Sequence, residues 1–429
     1  MRRTIKVAAV VGAGALMLTA CGSGGGGSGD ASLKTRGNIT IWYSNNEAEI
    51  AWGKQMVAAW NADHPKEQVK AQEIPAGDSS EAVISAAITA GNAPCLIFNT
   101  SPAAVPQFEK AGGLVALSSF PDGDSYIKAR SGDNATQYKS ADGKFYQLPW
   151  KSNPVMIFYN KAMFTKAGLD PNAPKLSTYD DFLATSRTLT KSGAAKYAIY
   201  PAPSSEFYQP WFDFYPLYAA ETGGKLLVEN NKATFDSTEG KAVSEFWATI
   251  YKEKLAGQET YKGDSFVDGL AAMRIAGPWA ITFFGKSVDW GTVPVPTSAG
   301  TSPDKTFTFS DAKNVGLFTA CKAKGTAWDV LKFATSEKQD GQLLTLTGQM
   351  PLRQDLTKVY PDYFTANPAY KVFGDQANRV VEVPNVANSV EIWQTFRDAY
   401  SPAVIFGQGS VDTFLKDTAA KVDTLAGQK

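Results

Sequence analysis

The chain offers few residues able to break bonds. Its one histidine, His64, lies in Ala62-Asp63-His64-Pro65 at an expected helix end, where a surface C-terminal cap is the ordinary role. Nucleophile–histidine catalysis needs an imidazole within reach of Ser or Cys, and a zinc site needs clustered thiols or imidazoles. One histidine and 3 scattered cysteines provide neither, so no metal or cofactor is expected. A phosphate loop needs a glycine ahead of Gly-Lys-Ser/Thr, and Gly285-Lys286-Ser287 has Ala280 at that place. Paired carboxylates for glycoside hydrolysis are always available in a chain with 42 Asp and Glu, so their presence is no evidence.

What stands out is aromatic rings set among Pro, Asn and Gln. The densest segment runs Phe207-Tyr208-Gln209-Pro210-Trp211-Phe212-Asp213-Phe214-Tyr215-Pro216-Leu217-Tyr218. Gly277-Pro278-Trp279 and Glu391-Ile392-Trp393 are two more such places. Sugars present faces of C–H groups, on which an aromatic ring packs. Their hydroxyl edges exchange hydrogen bonds with amides, donate to carboxylates and accept from Arg. Core packing competes with this reading: Phe207, Trp211, Phe214 and Tyr218 repeat at helical spacing, as a buried stripe would. Core is the expectation for any single ring, and at least two across the three places are expected to face a ligand.

These side chains need elements to hold them. Ile39-Thr40-Ile41-Trp42-Tyr43 is β-branched and aromatic, a strand, and Ser44-Asn45-Asn46 turns the chain. Ile50, Gly53, Val57 and Trp60 follow at helical spacing. Strands around residues 69–74 and 95–99 alternate with a helix capped at Asp78-Ser79-Ser80-Glu81 and another at residues 104–111. Strands alternating with helices imply a mostly parallel sheet with helices on both faces. Ligands bind at the carboxyl ends of such strands, which singles out the loops at residues 44–47 and 99–101. Further on, Val243, Phe246, Trp247, Ile250 and Tyr251 mark a core-facing helix. Residues 314–320 return to strand character, and helices close the chain.

The amino terminus reads as an export signal. Met1-Arg2-Arg3-Thr4-Ile5-Lys6 carries three positive charges, and the apolar run at residues 7–18 is too short to span a bilayer. Leu18-Thr19-Ala20-Cys21 resembles the lipobox of bacterial lipoproteins, which implies a signal peptide at residues 1–20 and acylation of Cys21. Residues 22–29 are nearly all Gly and Ser, so residues 21–38 are expected to be a lipid-anchored flexible linker. The expected location is the extracellular face of the cell membrane. Lys plus Arg equals Asp plus Glu at 42 each, with no basic stripe, so nucleic acid is not an expected partner. Cys95 opens one strand-like run and Cys321 closes another. Antiparallel neighbours would bring them together, as a disulfide or as two buried thiols.

Several stretches resemble the bacterial extracellular solute-binding proteins of the maltose-binding type, which serve ABC importers. Gly143-Lys144-Phe145-Tyr146-Gln147-Leu148-Pro149 followed by Met156-Ile157-Phe158-Tyr159-Asn160-Lys161 matches a strand leading into a Tyr-Asn-Lys helix. Ala271-Ala272-Met273-Arg274-Ile275-Ala276-Gly277-Pro278-Trp279 matches an Ala-Met-x-x-x-Gly-Pro-Trp signature. Gly348-Gln349-Met350-Pro351-Leu352-Arg353 resembles a Gly-x-x-Pro-x-Arg turn. Their shared order over nearly the whole mature chain is the specific signal. The resemblance implies an α/β, periplasmic-binding-protein-like fold of two lobes with a hinge crossed by several segments, each lobe a mostly parallel sheet flanked by helices. One lobe would comprise residues 39–149 plus 312–354, the other 150–311 plus 355–429. A monomer would close on a saccharide in the cleft, and the importer's membrane subunits would recognise the closed form.

The resemblance also implies a set of ligand contacts. Asn46 and Glu47 fall on the first polar loop, Asn99 on the second, and Asn153 where maltose-type members place a carboxylate. Gln209 and Trp211 fall on a polar-Pro-aromatic segment, Trp279 on a stacking position, and Trp393 with Arg397 on an aromatic–arginine pair. Amides at Asn46, Asn153 and Gln209 replace acids, and Glu47 replaces a base, which argues against maltose itself. A polyamine would want converging carboxylates and a sugar phosphate several cations, so this set favours a neutral di- or oligosaccharide. A glycoside hydrolase would want two carboxylates roughly 5–10 Å apart, and the set offers one.

Overall fold

The β-branched and aromatic run at the start of the body forms strand β1 (Ile39–Tyr43), its burial alternating as a one-sided strand's should. The computed structural model describes residues 28–428 except 45, 78, 202 and 286. The signal peptide, Cys21 and the Gly/Ser run up to residue 27 lie outside the described residues. Within the stretch expected to be linker, Ser28–Leu33 is a helix. Leu33 packs against an apolar core, and Arg36 pairs with Glu67 and Asp329, so the folded body begins before β1.

The other strands are β2 (Val69–Glu73), β3 (Leu96–Thr100), β4 (Gln147–Lys151), β5 (Met156–Asn160), β6 (Tyr197–Ile199), β7 (Val228–Glu229), β8 (Lys232–Ala233), β9 (Ala271–Ala276), β10 (Trp290–Val293), β11 (Thr308–Phe309), β12 (Lys313–Leu317) and β13 (Val380–Val381). One sheet has the order β2-β1-β3-β12-β4 and a second the order β10-β5-β9-β6. Each is the centre of a lobe with its own apolar core. In the first, Trp52, Phe98 and Trp150 meet with ring centroids 5.1 to 5.6 Å apart. In the second, Phe214, Phe396 and Tyr400 pack on one another.

Each sheet is mostly parallel in strand direction, with one reversed strand. In the first, β1 pairs parallel with β2 and β3, but β12 pairs antiparallel with β3 and β4. In the second, β6 and β9 are parallel, but β5 is antiparallel to β9 and β10. One strand in each sheet runs against all the others. The cause is the hinge. β5 follows β4 across residues 152–155, and β12 follows β11 across residues 310–312. A chain that crosses between lobes enters the next sheet from the facing edge, so its first strand runs away from that edge. Strands fed by helices run toward it. Residues 349–354 make a third crossing.

A buried network clamps the first lobe's side of these crossings. Arg130 donates to both carboxylate oxygens of Asp340 (3.0 Å each) and to the carbonyls of Pro149, Trp150 and Leu352. Arg353 reaches the same carboxylate at 2.8 Å. At the far end of β3, Cys95 and Cys321 are joined by a disulfide. No helix among the described residues is long and apolar enough to cross a membrane.

Candidate ligand cleft

Strand direction decides which loops face each other. β1, β3 and β4 end, and β12 begins, on one edge of the first sheet. Ser44, Asn46, Asn99, Lys151 and Asp311 to Lys313 therefore share a rim. In the second lobe β6 and β9 end on the opposing edge, which brings Tyr200, residues 203–208 and Gly277-Pro278-Trp279 toward that rim. Ala103 of the first lobe sits in the second lobe's apolar cluster with Trp393, so the two walls touch at one side of the cleft.

On the first-lobe rim, Asn46 caps the helix Glu47–Asp63. Its Oδ1 accepts from the backbone N–H of Ala48 (3.1 Å) and Glu49 (3.2 Å), which leaves the amide nitrogen available. Glu47 is exposed in that helix's first turn, where the positive end of the helix favours a carboxylate. Asn99 is half-buried near the end of β3; its Oδ1 accepts from Lys151 Nζ at 2.9 Å. Lys151 also donates to Glu49 Oε1 at 2.7 Å, and both side chains are almost wholly buried. Burial drives the Lys151 ammonium below its ordinary range, against the pull of Glu49. Burial pushes Glu49 up, but the Lys151 charge and hydrogen bonds outweigh it and hold the carboxyl below its ordinary range.

On the second-lobe wall, Trp279 is half-buried and its indole lies back over Gly277. A Cβ at residue 277 would sit 1.8 Å from the ring, so only glycine permits this pose. Phe212 meets the indole edge-on at 6.2 Å.

The structure does not bring the remaining expected residues to the open cleft. Asn153 is in the hinge: its Nδ2 donates to Gln349 Oε1 (3.2 Å) and Asp311 O (3.3 Å), and its Oδ1 accepts from Met350 N (3.2 Å). Crossing strands need exactly such polar stitching where their backbones leave both sheets, so the amide is committed there. Trp211 and Trp393 are 4 % and 0 % exposed, with their rings edge-on at 5.8 Å and packed on Phe309 and Tyr215. They are core beneath the wall, which for Trp211 is the outcome its helical spacing with Phe207, Phe214 and Tyr218 allowed. Gln209 turns inward to donate to Asp213 Oδ2 at 2.6 Å. Burial pushes the Asp213 carboxyl up to about 7. Arg397 braces the wall from behind, donating to Ser204 O at 2.7 Å and pairing with Asp398.

Sequence reasoning missed Tyr208, Lys313, Asp311 and Glu81 as cleft neighbours. Tyr208 is 41 % exposed on the second-lobe wall. Burial raises its phenol, the Glu206 and Glu81 carboxylates add to the rise, and Lys313 opposes it. Glu81 and Lys313 belong to the first lobe, so the two walls feel each other's charge. Lys313 in turn pairs with Asp311 at 2.9 Å. Tyr208 stood in the aromatic segment, but nothing in the sequence set it apart from its buried neighbours. On another face between the lobes, Tyr138 donates to Glu382 Oε2 at 3.1 Å, and Glu382 N–H donates to Gln137 Oε1 at 2.9 Å. Burial pushes the Glu382 carboxyl up to about 8.

Two α/β lobes joined by several crossings suit a protein that holds a small solute between them. Comparison with known proteins agrees. The chain belongs to the bacterial extracellular solute-binding protein family, whose match runs over residues 44–341. It is similar to the diacetylchitobiose binding protein DasA of Streptomyces coelicolor, 24 % identical over 374 residues, covering 82 % of this chain and 83 % of that one. It is also similar to the maltodextrin-binding protein MdxE of Bacillus subtilis, 23 % identical over 319 residues and 71 % of each chain. The fold is shared with a cyclic α-maltosyl-1,6-maltose binding protein from Arthrobacter globiformis, with a TM-score of 0.78 at 21 % identity over 91 % of this chain and 99 % of that one.

Proposed function

We propose that this protein captures a neutral di- or oligosaccharide between its lobes and delivers it to the membrane subunits of an ABC importer. It works outside the cell as a monomer, held to the membrane by lipid on Cys21. The lobes divide within residues 152–155, 310–312 and 349–354, a little beyond the expected 149/150 because β4 stays in the first sheet as far as Lys151. The observation that carries the reading is the cleft itself. An indole held over Gly277 offers a flat apolar face, and opposite it Asn46, Glu47 and Asn99 offer hydrogen-bonding groups. That pairing suits a pyranose, with its C–H face and hydroxyl edge. The sugar-binding names of the relatives support it, as does membership of a family of binding proteins rather than enzymes.

A thermal-shift screen of the mature protein tests the reading. The panel is maltotriose, N,N′-diacetylchitobiose, arabinotriose, spermidine and glucose 6-phosphate. A ligand at 100 times its dissociation constant adds about 2.7 kcal/mol, a visible shift. Stabilisation by a saccharide, lost in Trp279→Ala, is the expected result. Stabilisation by spermidine or the phosphate alone would overturn the saccharide assignment.

A further inference from the structure

Asn99, next to last in β3, has its backbone in the left-handed region, φ 65°, a conformation that asparagine tolerates better than most residues. Its side chain is held as firmly as its backbone. Lys151 Nζ is a donor only, so it must face the amide oxygen, which it does at 2.9 Å. The Asn99 NH2 is thereby turned the other way, toward the loop that ends β1, with Ser44 Oγ at 3.5 Å. Lys151 is itself anchored on Glu49 Oε1. The same oxygen accepts from Gln349 Nε2 at 2.6 Å, and Gln349 Oε1 accepts from Asn153 Nδ2. Asn153 Nδ2 also donates to Asp311 O, so an unbroken run of polar contacts leads from the cleft rim to all three crossings. Stability alone explains this pair poorly. Both ions lose their water, and neutral residues of the same shape commonly fold as well or better.

We propose that the buried Lys151–Glu49 pair is a positioning device: it fixes the Asn99 amide as a hydrogen-bond donor to the bound solute and ties that contact to the hinge. The inference rests on the cleft being the binding site, not on the identity of the solute.

A double-mutant cycle tests it, using whichever member of the panel above stabilises the wild type. Calorimetric affinities are measured for wild type, Asn99→Ala, Glu49→Gln with Lys151→Met, and the triple variant. The neutral pair is expected to melt within a few degrees of wild type yet bind about tenfold weaker or worse. Asn99→Ala, which should weaken the wild type about tenfold, should add less than about twofold once the pair is gone. Equal losses in both backgrounds would overturn the proposal. Asn99→Asp keeps an acceptor for Lys151 and removes the NH2, so it should bind as weakly as Asn99→Ala. Wild-type binding by Asn99→Asp would also overturn it, and this variant decides alone if the neutral pair does not fold. If the ligand proves to be spermidine or glucose 6-phosphate, the saccharide reading falls and the cycle still judges the pair. If the wild type binds nothing in the panel, both fall.

Discussion

Trp279 can present its face only because residue 277 has no side chain. Gly277→Ala should displace the indole and weaken saccharide binding about tenfold, the worth of one good aromatic contact, with the melting temperature little changed. Calorimetry beside a thermal melt would show the split. Trp393 should behave in the opposite way. It is wholly buried, so Trp393→Ala should lower the unfolding free energy by about 3–5 kcal/mol in urea titration. Glu382 has a distinct signature. Its carboxyl titrates near 8 in the fold, against about 4.3 in an unfolded chain. Between those values the folded state holds a proton that the unfolded state releases, so this group's contribution to stability falls as pH rises from about 4 to 8. Asp213, raised to about 7, acts in the same direction over most of that window. Urea unfolding at pH 5, 6.5 and 8 should show a shallower decline for Glu382→Gln and a gain on the order of 3 kcal/mol at pH 8. Parallel pH curves for the two proteins would refute it.

At the scale of elements, the crossings are held by short backbone bridges, Lys151 to Pro351 and Pro154 to Ser310, and by side chains around them. Arg130 satisfies three carbonyls at the ends of β4 and the 349–354 segment while pairing with a buried carboxylate. Removing it leaves those groups and part of the Asp340 charge without partners. Arg130→Met should therefore cost about 3–5 kcal/mol, read from the urea midpoint. The pattern Arg130, Asp340, Arg353 was invisible along the chain because its members come from three separate segments. By contrast, a cap was legible. Ser79, in the stretch read as a cap, takes the N–H of Ala82, as a short polar side chain ahead of a helix should.

For the whole molecule, the disulfide joins cysteines 226 positions apart in sequence, at the edge of the first sheet farthest from the cleft. Replacing both cysteines by serine should remove about 4–5 kcal/mol of stability on the chain-entropy account. The affinity for solute should be unchanged, since no rim residue touches the pair. A calorimetric titration and a thermal melt on one sample would check both halves. Loss of affinity in a still-folded variant would show that the far edge of the sheet is coupled to the rim.

Local pattern determined much of this protein by itself. Strand β1, the Val243–Tyr251 stripe and the capped helices follow from propensity and periodicity within a dozen residues, where no distant partner need be known. The order of motifs was enough to bring the fold into view, and strand ends pointed to Asn46, Glu47 and Asn99. Tertiary structure alone decided which aromatic rings became wall and which became core. Trp211, Trp279 and Trp393 have similar neighbours in sequence, and only the glycine under one ring and the helices over the others separate them. It also decided the reversed strands β5 and β12, the removal of Asn153 into the hinge and the meeting of Lys151 with Glu49. Each of these depends on groups more than a hundred residues apart, whose mutual burial no window along the chain contains.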